Sequence, residues 1–179
     1  PDNAYEVVRD ALRGARHSLE IEAYGLKHYG LVNEIVQKAQ AGVSVKILLE
    51  GEPVGGISAQ ELWACQQIER AGGECLFMHD HHPTPYRIFD RYDLVHAKSI
   101  IVDRRSLVIS TQNFNSGGLP DDDKSDGTYG SRGYVLHIES PELAARAGLI
   151  FERDADPVHT DIAGWPDETF GFGVPPASY

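Results

Sequence analysis

Features that would assign a function at once are scarce in this sequence of 179 residues. The two cysteines, Cys65 and Cys75, form no C-x-x-C pair, which argues against a zinc ribbon. No apolar run approaches the length of a membrane span, and no basic segment followed by an apolar one forms a signal peptide. The formal net charge of −11 opposes sequence-independent binding to duplex DNA, which requires a basic surface. A small basic pocket on an acidic protein is still compatible with this balance.

The length fits one domain, or one compact half of a larger protein. Because the chain begins at Pro1 instead of methionine, we interpret it as an expressed fragment, a mature form or an excised domain. The missing signal peptide therefore says little about where the parent protein works. The localisation stays unassigned, and the acidic composition gives only a weak preference for an extracellular or secreted protein. Cys65 is expected on a helix and Cys75 on the next strand, and two buried free thiols are favoured over a disulfide between them.

Helical and strand patterns alternate along most of the chain. An apolar stripe with helical spacing covers 3–15, and helix–strand units follow as far as a final helix that ends near 153. This order predicts an α/β fold, in which a mixed, largely parallel β-sheet is flanked by helices on both faces. Residues 1–153 are predicted to form the domain, and residues 154–179 an irregular C-terminal extension rich in proline, glycine and aromatic residues.

Three of the predicted helices begin with a capping signal. Asn3 and Glu6 have the spacing of a capping box, and so do Ser58 and Glu61. Ser140 precedes a proline, which is the order expected of an N-cap followed by the first helical position.

The stretch from 95 to 113 is typical of a β-hairpin, with two apolar, β-branched runs around a short polar break. If Arg104 and Arg105 form the turn, residues at matching distances from it point to the same face of the sheet. A three-residue loop would shift this register by one residue and scatter the side chains. The two-residue turn places Asp103 on one face and a polar cluster on the other, the cluster being His96, Lys98, Thr111 and Asn113.

This cluster combines a cation, an amide, a hydroxyl and a titratable imidazole, with no carboxylate among them. Such a set suits an oxyanion, and a phosphate group in particular, because donors surround the charge while the imidazole attacks phosphorus or transfers a proton. A functional site is favoured over a surface hairpin with scattered polar residues, since four such side chains converge. Asp103 is expected to support the end of the hairpin or a neighbouring basic group, and not to contact substrate.

The run His96-x-Lys98, followed after four residues by Asp103, resembles the HxKxxxxD signature of the phospholipase D superfamily. Six residues later, where that family usually has Gly-Ser-x-Asn, the chain has Ser110-Thr111-Gln112-Asn113. The resemblance in the order of elements extends through much of the chain. It implies the α/β/α sandwich of that superfamily.

The resemblance also implies a mechanism. One histidine of the family attacks a phosphodiester and forms a phosphohistidine, while a second protonates the leaving alcohol and then activates water or an acceptor alcohol. The protein is accordingly expected to be a phosphodiesterase-type hydrolase or transferase that needs no metal or other cofactor. A phospholipid, which would place it in lipid catabolism, and a nucleic acid are both left open as substrates. The implied catalytic residues are His96 (nucleophile or general acid), Lys98 and Asn113, supported by Asp103, Thr111 and Ser110.

The sequence departs from the family pattern in two ways. It has one HxK motif, so the active site requires a second half, either in trans, as in a homodimer, or in a longer chain, and an isolated monomer is expected to be inactive. The glutamate that the family often places in the strand after the loop is missing from 131–134, where Tyr134 or Arg132 is a candidate substitute. The alternative function is therefore a non-catalytic half-domain that binds phosphate or pairs with a motif-bearing half.

A histidine-rich run at 79–82 contains side chains that bind metals. Consecutive residues seldom place three ligands around one ion, and Pro83 and Pro85 indicate a loop. We therefore predict no metal there, and a metallohydrolase based on this run is the less favoured hypothesis. The candidates for the rim of the substrate cleft are His79, His81, His82 and Tyr134.

Overall fold

The computed structural model describes residues 3–79, 92–122, 130–159 and 161–164. Helices and strands alternate over the first half of the chain, and antiparallel strands precede the last helix. Within the described residues the elements are α1 (Ala4–Gly14), β1 (Ser18–Ala23), α2 (Tyr29–Gln40), β2 (Ser44–Glu50), α3 (Ala59–Arg70), β3 (Glu74–Met78), β4 (Lys98–Val102), β5 (Ser106–Ser110), β6 (Val135–Glu139), α4 (Pro141–Asp154) and β7 (Ile162–Gly164).

The strands that the structure describes form one sheet, in the order β6-β5-β4-β1-β2-β3-β7. β1, β2 and β3 are parallel at its centre, whereas β4, β5 and β6 on one side and β7 on the other run antiparallel to their neighbours. The predicted α/β fold with a mixed sheet is confirmed. The three parallel strands end at one edge of the sheet, the carboxyl edge, where β4 begins and β5 ends.

Each face of the sheet is covered by helices. The larger core lies between the sheet and α1, α2 and α3, where Leu12, Ile21 and Ile35 are fully buried. On the other face α4 contributes Phe151 to a second apolar cluster with Leu48. The predicted layer order is therefore confirmed. None of the helices in the described ranges is long and apolar enough to span a membrane.

Two of the three predicted helix caps are present. Ser58 Oγ accepts a hydrogen bond from the Glu61 N–H, and the Glu61 carboxylate accepts one from the Ser58 N–H, which completes a capping box. Ser140 Oγ accepts from the Leu143 N–H at the start of α4. The prediction for Asn3 is wrong, because its side chain makes no capping hydrogen bond.

Two further predictions need correction. Cys65 on α3 and Cys75 on β3 form a disulfide instead of two free thiols, because the helix packs on the strand with the two Cα atoms 5.5 Å apart. The C-terminal extension is not irregular throughout, since residues 162–164 pair with β3 as a short antiparallel strand. Residues 165–179 of the predicted extension lie outside the described residues.

The register of the β4–β5 hairpin differs from the prediction by one residue. Val102 pairs with Ser106, so the loop contains three residues instead of two. Continuing this pairing to the carboxyl edge places Lys98 opposite Ser110 and not opposite Thr111. The predicted four-residue face is therefore wrong as a consequence of strand register.

The turn conformation explains the shift. Asp103 and Arg104 adopt left-handed φ values of 52° and 50°, and the Arg105 N–H donates to the Val102 carbonyl at 2.9 Å. This is the geometry of a type I′ turn, with one extra residue before β5. Left-handed backbone is uncommon for residues other than glycine, and the turn chemistry of the sequence did not indicate it.

Candidate active site

The site lies where the segments that follow β1, precede β4 and follow β5 meet at the carboxyl edge. Leu26 forms an isolated parallel bridge with Phe114. The Phe114 carbonyl accepts hydrogen bonds from the N–H groups of Lys27 and His28, at 2.8 and 2.9 Å. This pairing brings Asn113, next to Phe114, against the end of β1.

Hydrogen bonds to two successive carbonyls hold the backbone at His96. The Tyr24 N–H donates to the Ala97 carbonyl at 2.9 Å, and Lys98 Nζ donates to the His96 carbonyl at 2.8 Å. The imidazole is exposed and lies edge-on to the Tyr24 ring, with the ring centroids 5.5 Å apart. A fixed backbone with an accessible ring is what nucleophilic or acid–base catalysis by histidine requires.

Lys98 places a poorly solvated cation beside His96. It is the first residue of β4, pairs with Ala23 on β1 and is only 7% exposed. Burial lowers the pKa of its ammonium group below the usual lysine value. Lys98 Nζ lies 5.5 Å from the centroid of the Tyr24 ring, within the range of a cation–π interaction. Because water solvates this charge poorly, a bound anion would stabilise it.

Asn113 lines a small cavity and has an amide oxygen without a hydrogen-bond partner among the described residues. Its Oδ1 is buried and has no hydrogen-bond partner among the described residues. Asn113 also lines a cavity of about 40 Å³, which is closed by Tyr24, Gly25, Lys27 and Asn115. A buried polar group without a partner is costly unless a ligand or water satisfies it. The cavity is therefore a natural place for a polar ligand atom.

Glu61 supports the wall of this cavity from α3. Its buried carboxylate accepts from the Leu26 N–H at 3.2 Å and pairs with Lys27 Nζ at 3.1 Å. A Cβ at Gly25 would lie only 2.6 Å from Glu61 Oε1, so the close approach needs glycine. The capping residue of α3 therefore also fixes the loop after β1.

The two hydroxyl groups predicted to assist are bonded elsewhere. Thr111 Oγ1 accepts from the Tyr134 N–H at 2.9 Å, which extends the pairing between β5 and β6. Ser110 Oγ donates to the Gln112 carbonyl and accepts from the Gln112 N–H, both at 2.9 Å. These contacts shape the chain as it leaves β5.

Asp103 lies at the opposite edge of the sheet from His96, in the hairpin turn. Its carboxylate accepts hydrogen bonds from the backbone N–H groups of Arg16, His17 and Ser18, at 2.7–3.2 Å. Partial burial alone raises the pKa of this carboxyl, but the three hydrogen bonds outweigh it and lower the pKa below the usual value. This placement agrees with a role in supporting the hairpin end.

The predicted rim residues have different surroundings. His79 follows β3, where its N–H donates to the Asp161 carbonyl at 2.8 Å and its ring packs beside Gly51. Tyr134 is 79% exposed. His81 and His82 lie outside the described residues, and the described part of the chain contains no group of three or more metal-ligating side chains that could hold an ion.

Gln112 packs against the chain that follows the long loop. Its Nε2 donates to the Arg132 carbonyl at 2.9 Å. A Cβ at Gly133 would lie 2.0 Å from Gln112 Nε2 and 2.5 Å from Thr111 Oγ1, so glycine allows this close approach.

The structure brings His96, Lys98 and Asn113 together around Tyr24, and leaves out Thr111. Tyr24 is the residue that sequence reasoning missed. Its signal is modest: it directly follows an alternating strand and precedes glycine, at an edge where polar side chains of parallel strands collect.

Comparisons with known proteins identify the family of this chain. A family model described as "Cardiolipin synthase, PLD-like domain" matches residues 8–155, and the chain therefore belongs to the phospholipase D-like family. Among curated proteins, DISARM protein DrmC from Bacillus paralicheniformis is 26% identical over 120 residues, which cover 63% of this chain and 44% of DrmC. The chain thus spans less than half the length of that relative.

Two solved structures share the fold. Nuc from Salmonella typhimurium, a phospholipase D family member, superposes with a TM-score of 0.62 at 19% identity, covering 83% of this chain and 84% of Nuc. NucT from Helicobacter pylori gives a TM-score of 0.69 at 14% identity, covering 90% of this chain and 91% of NucT. At these identities the comparisons establish the fold.

Proposed function

We propose that this chain supplies one half of the active site of a phosphodiesterase-type hydrolase or transferase that works through a phosphohistidine. The observation that carries the proposal is the accessible imidazole of His96 beside the buried ammonium of Lys98, with the amide of Asn113 at the adjoining cavity. The three side chains contain no carboxylate, so the site is built for an anion and not for a cation. The substrate class is a phosphodiester, in a phospholipid or a nucleic acid.

The reaction proceeds in two displacements. His96 attacks phosphorus, a nitrogen–phosphorus bond forms, and the oxygen–phosphorus bond to the leaving alcohol breaks as a second histidine gives that alcohol a proton. Water or an acceptor alcohol, losing its proton to the second histidine, then attacks phosphorus and releases His96. Lys98 and the N–H₂ group of Asn113 donate hydrogen bonds to the phosphoryl oxygens and stabilise their charge in both steps. If His96 is instead the general acid, the second histidine is the nucleophile.

The second histidine has to come from another half-site, because the sequence contains one HxK motif. A second copy of the chain is one source, and a following or preceding half of a longer chain is the other. An exposed apolar pair favours such packing: Ile109 and Leu136 are cross-strand partners on β5 and β6, and they are 41% and 58% exposed. The chain covers 84% of Nuc and 91% of NucT but only 44% of DrmC.

One observation favours the alternative of a non-catalytic half-domain that binds phosphate or pairs with a motif-bearing half. The stretch 131–134, where the family often carries a glutamate, contains none, and the Gln112 side chain lies beside Gly133 there. Turnover by a purified homodimer of this chain excludes this alternative.

The test compares His96→Asn with His17→Asn, which changes an exposed histidine at the opposite edge. Hydrolysis of bis(p-nitrophenyl) phosphate, a single-stranded oligonucleotide and anionic phospholipid vesicles is measured with and without EDTA, alongside the oligomeric state. We expect EDTA-resistant turnover and an acid-labile phosphohistidine in the wild type and the His17 variant. We expect neither signal in the folded His96 variant. Turnover that survives in His96→Asn, or that disappears with EDTA, contradicts the proposal.

A further inference from the structure

Glu50 is a buried carboxylate at the carboxyl edge that the proposed chemistry does not use. It is the last residue of β2, where it pairs with Met78, and it is only 3% exposed. No cationic side chain is paired with it in the recorded contacts of the described residues. Burying a carboxylate is unfavourable unless hydrogen bonds compensate for the lost water. Its hydrogen-bond partners therefore indicate what it does.

Both carboxylate oxygens accept backbone N–H groups, and the two donors belong to different segments. Glu50 Oε1 accepts from the Glu52 N–H at 2.9 Å, at the start of the loop after β2. Glu50 Oε2 accepts from the Val95 N–H at 2.5 Å, across 45 positions of sequence. Val95 is itself buried and immediately precedes His96. One side chain thus joins the loop after β2 to the segment that presents the imidazole.

The contact to Val95 completes the support of this segment. The carbonyl of His96 is held by Lys98, and that of Ala97 by Tyr24, at 2.8 and 2.9 Å. The segment is not part of a strand, so no ladder of sheet hydrogen bonds fixes it. The hydrogen bond from the Val95 N–H to Glu50 holds the backbone of the residue before His96.

We propose that Glu50 is a positioning residue for His96. Its carboxylate fixes the backbone from which the imidazole projects, and through the Glu52 N–H it ties the loop after β2 to the same point. Only a carboxylate of this length provides two acceptor oxygens for two donors. A glutamine would turn an N–H₂ group towards one of the two N–H groups, and an aspartate would fall short of spanning them.

The inference rests on the proposed function, because positioning is read out as turnover. Glu50→Gln removes the charge and one acceptor, Glu50→Asp keeps the charge and shortens the side chain, and Glu52→Gln is the matched control. Glu52 is exposed, and its contact with Glu50 uses only the backbone, so its substitution removes the same charge without breaking the bond. Small displacements of a reacting group lower turnover by about 10- to 100-fold.

We expect kcat, corrected for the folded fraction, to fall about 10- to 100-fold in both Glu50 variants, with KM changed less than about threefold. The control retains wild-type values. A merely structural role lowers the melting temperature and leaves kcat per folded molecule unchanged, so wild-type kcat in the folded Glu50→Asp protein overturns the inference. A raised KM with unchanged kcat also overturns it.

A second measurement separates this inference from the proposed function. Hydrogen exchange of the Val95 amide and the nuclear Overhauser contact between the His96 and Tyr24 rings are recorded for each variant. We expect faster exchange and a weakened ring contact in the Glu50 variants only. If a wild-type homodimer shows no turnover on any substrate, the proposed function fails for this chain. If the exchange of the Val95 amide and the ring contact in the Glu50 variants also match those of the wild type, the role of Glu50 is overturned as well.

Discussion

The phenol ring of Tyr24 lies edge-on to the imidazole of His96, with ring centroids 5.5 Å apart and planes inclined at 67°. The same ring lies 5.5 Å from Lys98 Nζ, and its hydroxyl oxygen accepts a hydrogen bond from the Val54 N–H at 2.9 Å. Tyr24 therefore connects the candidate nucleophile, the candidate phosphate ligand and the loop after β2. Its ring and its hydroxyl have separable roles.

Substitutions at Tyr24 should distinguish these roles. Tyr24→Phe keeps the ring and loses the acceptor for Val54, so we expect a raised KM and a kcat within about threefold of the wild type. Tyr24→Leu also loses the ring contacts to His96 and Lys98. Because a desolvated cation–π contact contributes about 1–2 kcal/mol, we expect kcat to fall about tenfold. Steady-state kinetics check both values, and equal kcat in the two variants would contradict the assigned role of the ring.

The lowered pKa of Lys98 should appear in anion binding. Burial lowers this pKa below the usual lysine value, so the ammonium loses its proton at a lower pH than an exposed lysine does. Sulfate does not titrate above neutrality, and we expect its affinity to fall at alkaline pH, below the usual lysine value of 10.5, as Lys98 becomes neutral. Lys98→Arg keeps its charge, so any affinity it retains should be independent of pH in this range. Isothermal calorimetry measures both proteins, with Lys38→Arg as the control, and identical pH dependence in all three would exclude Lys98 as the ligand.

Much of the fold follows from local pattern, because helical and strand periodicity is a property of neighbouring residues. The register of the hairpin does not, since it depends on left-handed backbone at Asp103 and Arg104. The bonds from residues 16–18 to the Asp103 carboxylate that accompany this turn are tertiary contacts across the sheet edge. β7 was missed because three residues, two of them alanine and glycine, carry little strand signal.

The site was predictable in its chemistry and less so in its assembly. His96, Lys98 and Asn113 were predicted from residue type and spacing, and the structure brings them together around Tyr24, although the register used to predict this was wrong. Tyr24 and Glu61 were missed as parts of the site because their roles arise from contacts between segments far apart in sequence. A motif predicts which groups react, and packing decides which groups support them.

Asp103 should stabilise the fold without affecting the chemistry. Asp103→Asn can adopt the same left-handed turn but loses a charged acceptor for three backbone N–H groups, so we expect a loss of about 1–2 kcal/mol at pH 7. The pKa of Asp103 is depressed in the folded protein, so its contribution is present above the unfolded pKa and is lost as the pH falls through the folded pKa. Urea unfolding at pH 7 and pH 3 should therefore show a difference that shrinks at pH 3.

Asp10→Asn is the control for this prediction, because Asp10 forms a surface ion pair with its neighbour Arg9. The kcat per folded molecule should match the wild type in both variants. A large loss of kcat in folded Asp103→Asn would show that the carboxylate reaches the active site, against the placement in the turn.

Glu22 should make the protein less stable as the pH rises from 4.5 to about 7. It lies on β1 on the face covered by α4, where burial, and then the nearby carboxylate of Asp154, raise the pKa of Glu22 to about 7. Below the usual value of 4.5 the carboxyl is protonated in both the folded and unfolded states, and burial of its charge costs nothing. Between 4.5 and about 7 the unfolded chain releases the proton first, so the free energy of unfolding falls with rising pH.

Glu22→Gln removes this effect. We expect the variant to match the wild type near pH 4.5 and to be more stable by about 3 kcal/mol at pH 8, because each unit of the pKa shift from 4.5 to about 7 corresponds to about 1.4 kcal/mol. Urea unfolding at pH 4.5, 6 and 8 measures the difference, and the exposed Glu52→Gln should show none of this pH dependence. A stability difference that is constant across the three pH values would show that neither burial nor the carboxylate of Asp154 raises the pKa of Glu22.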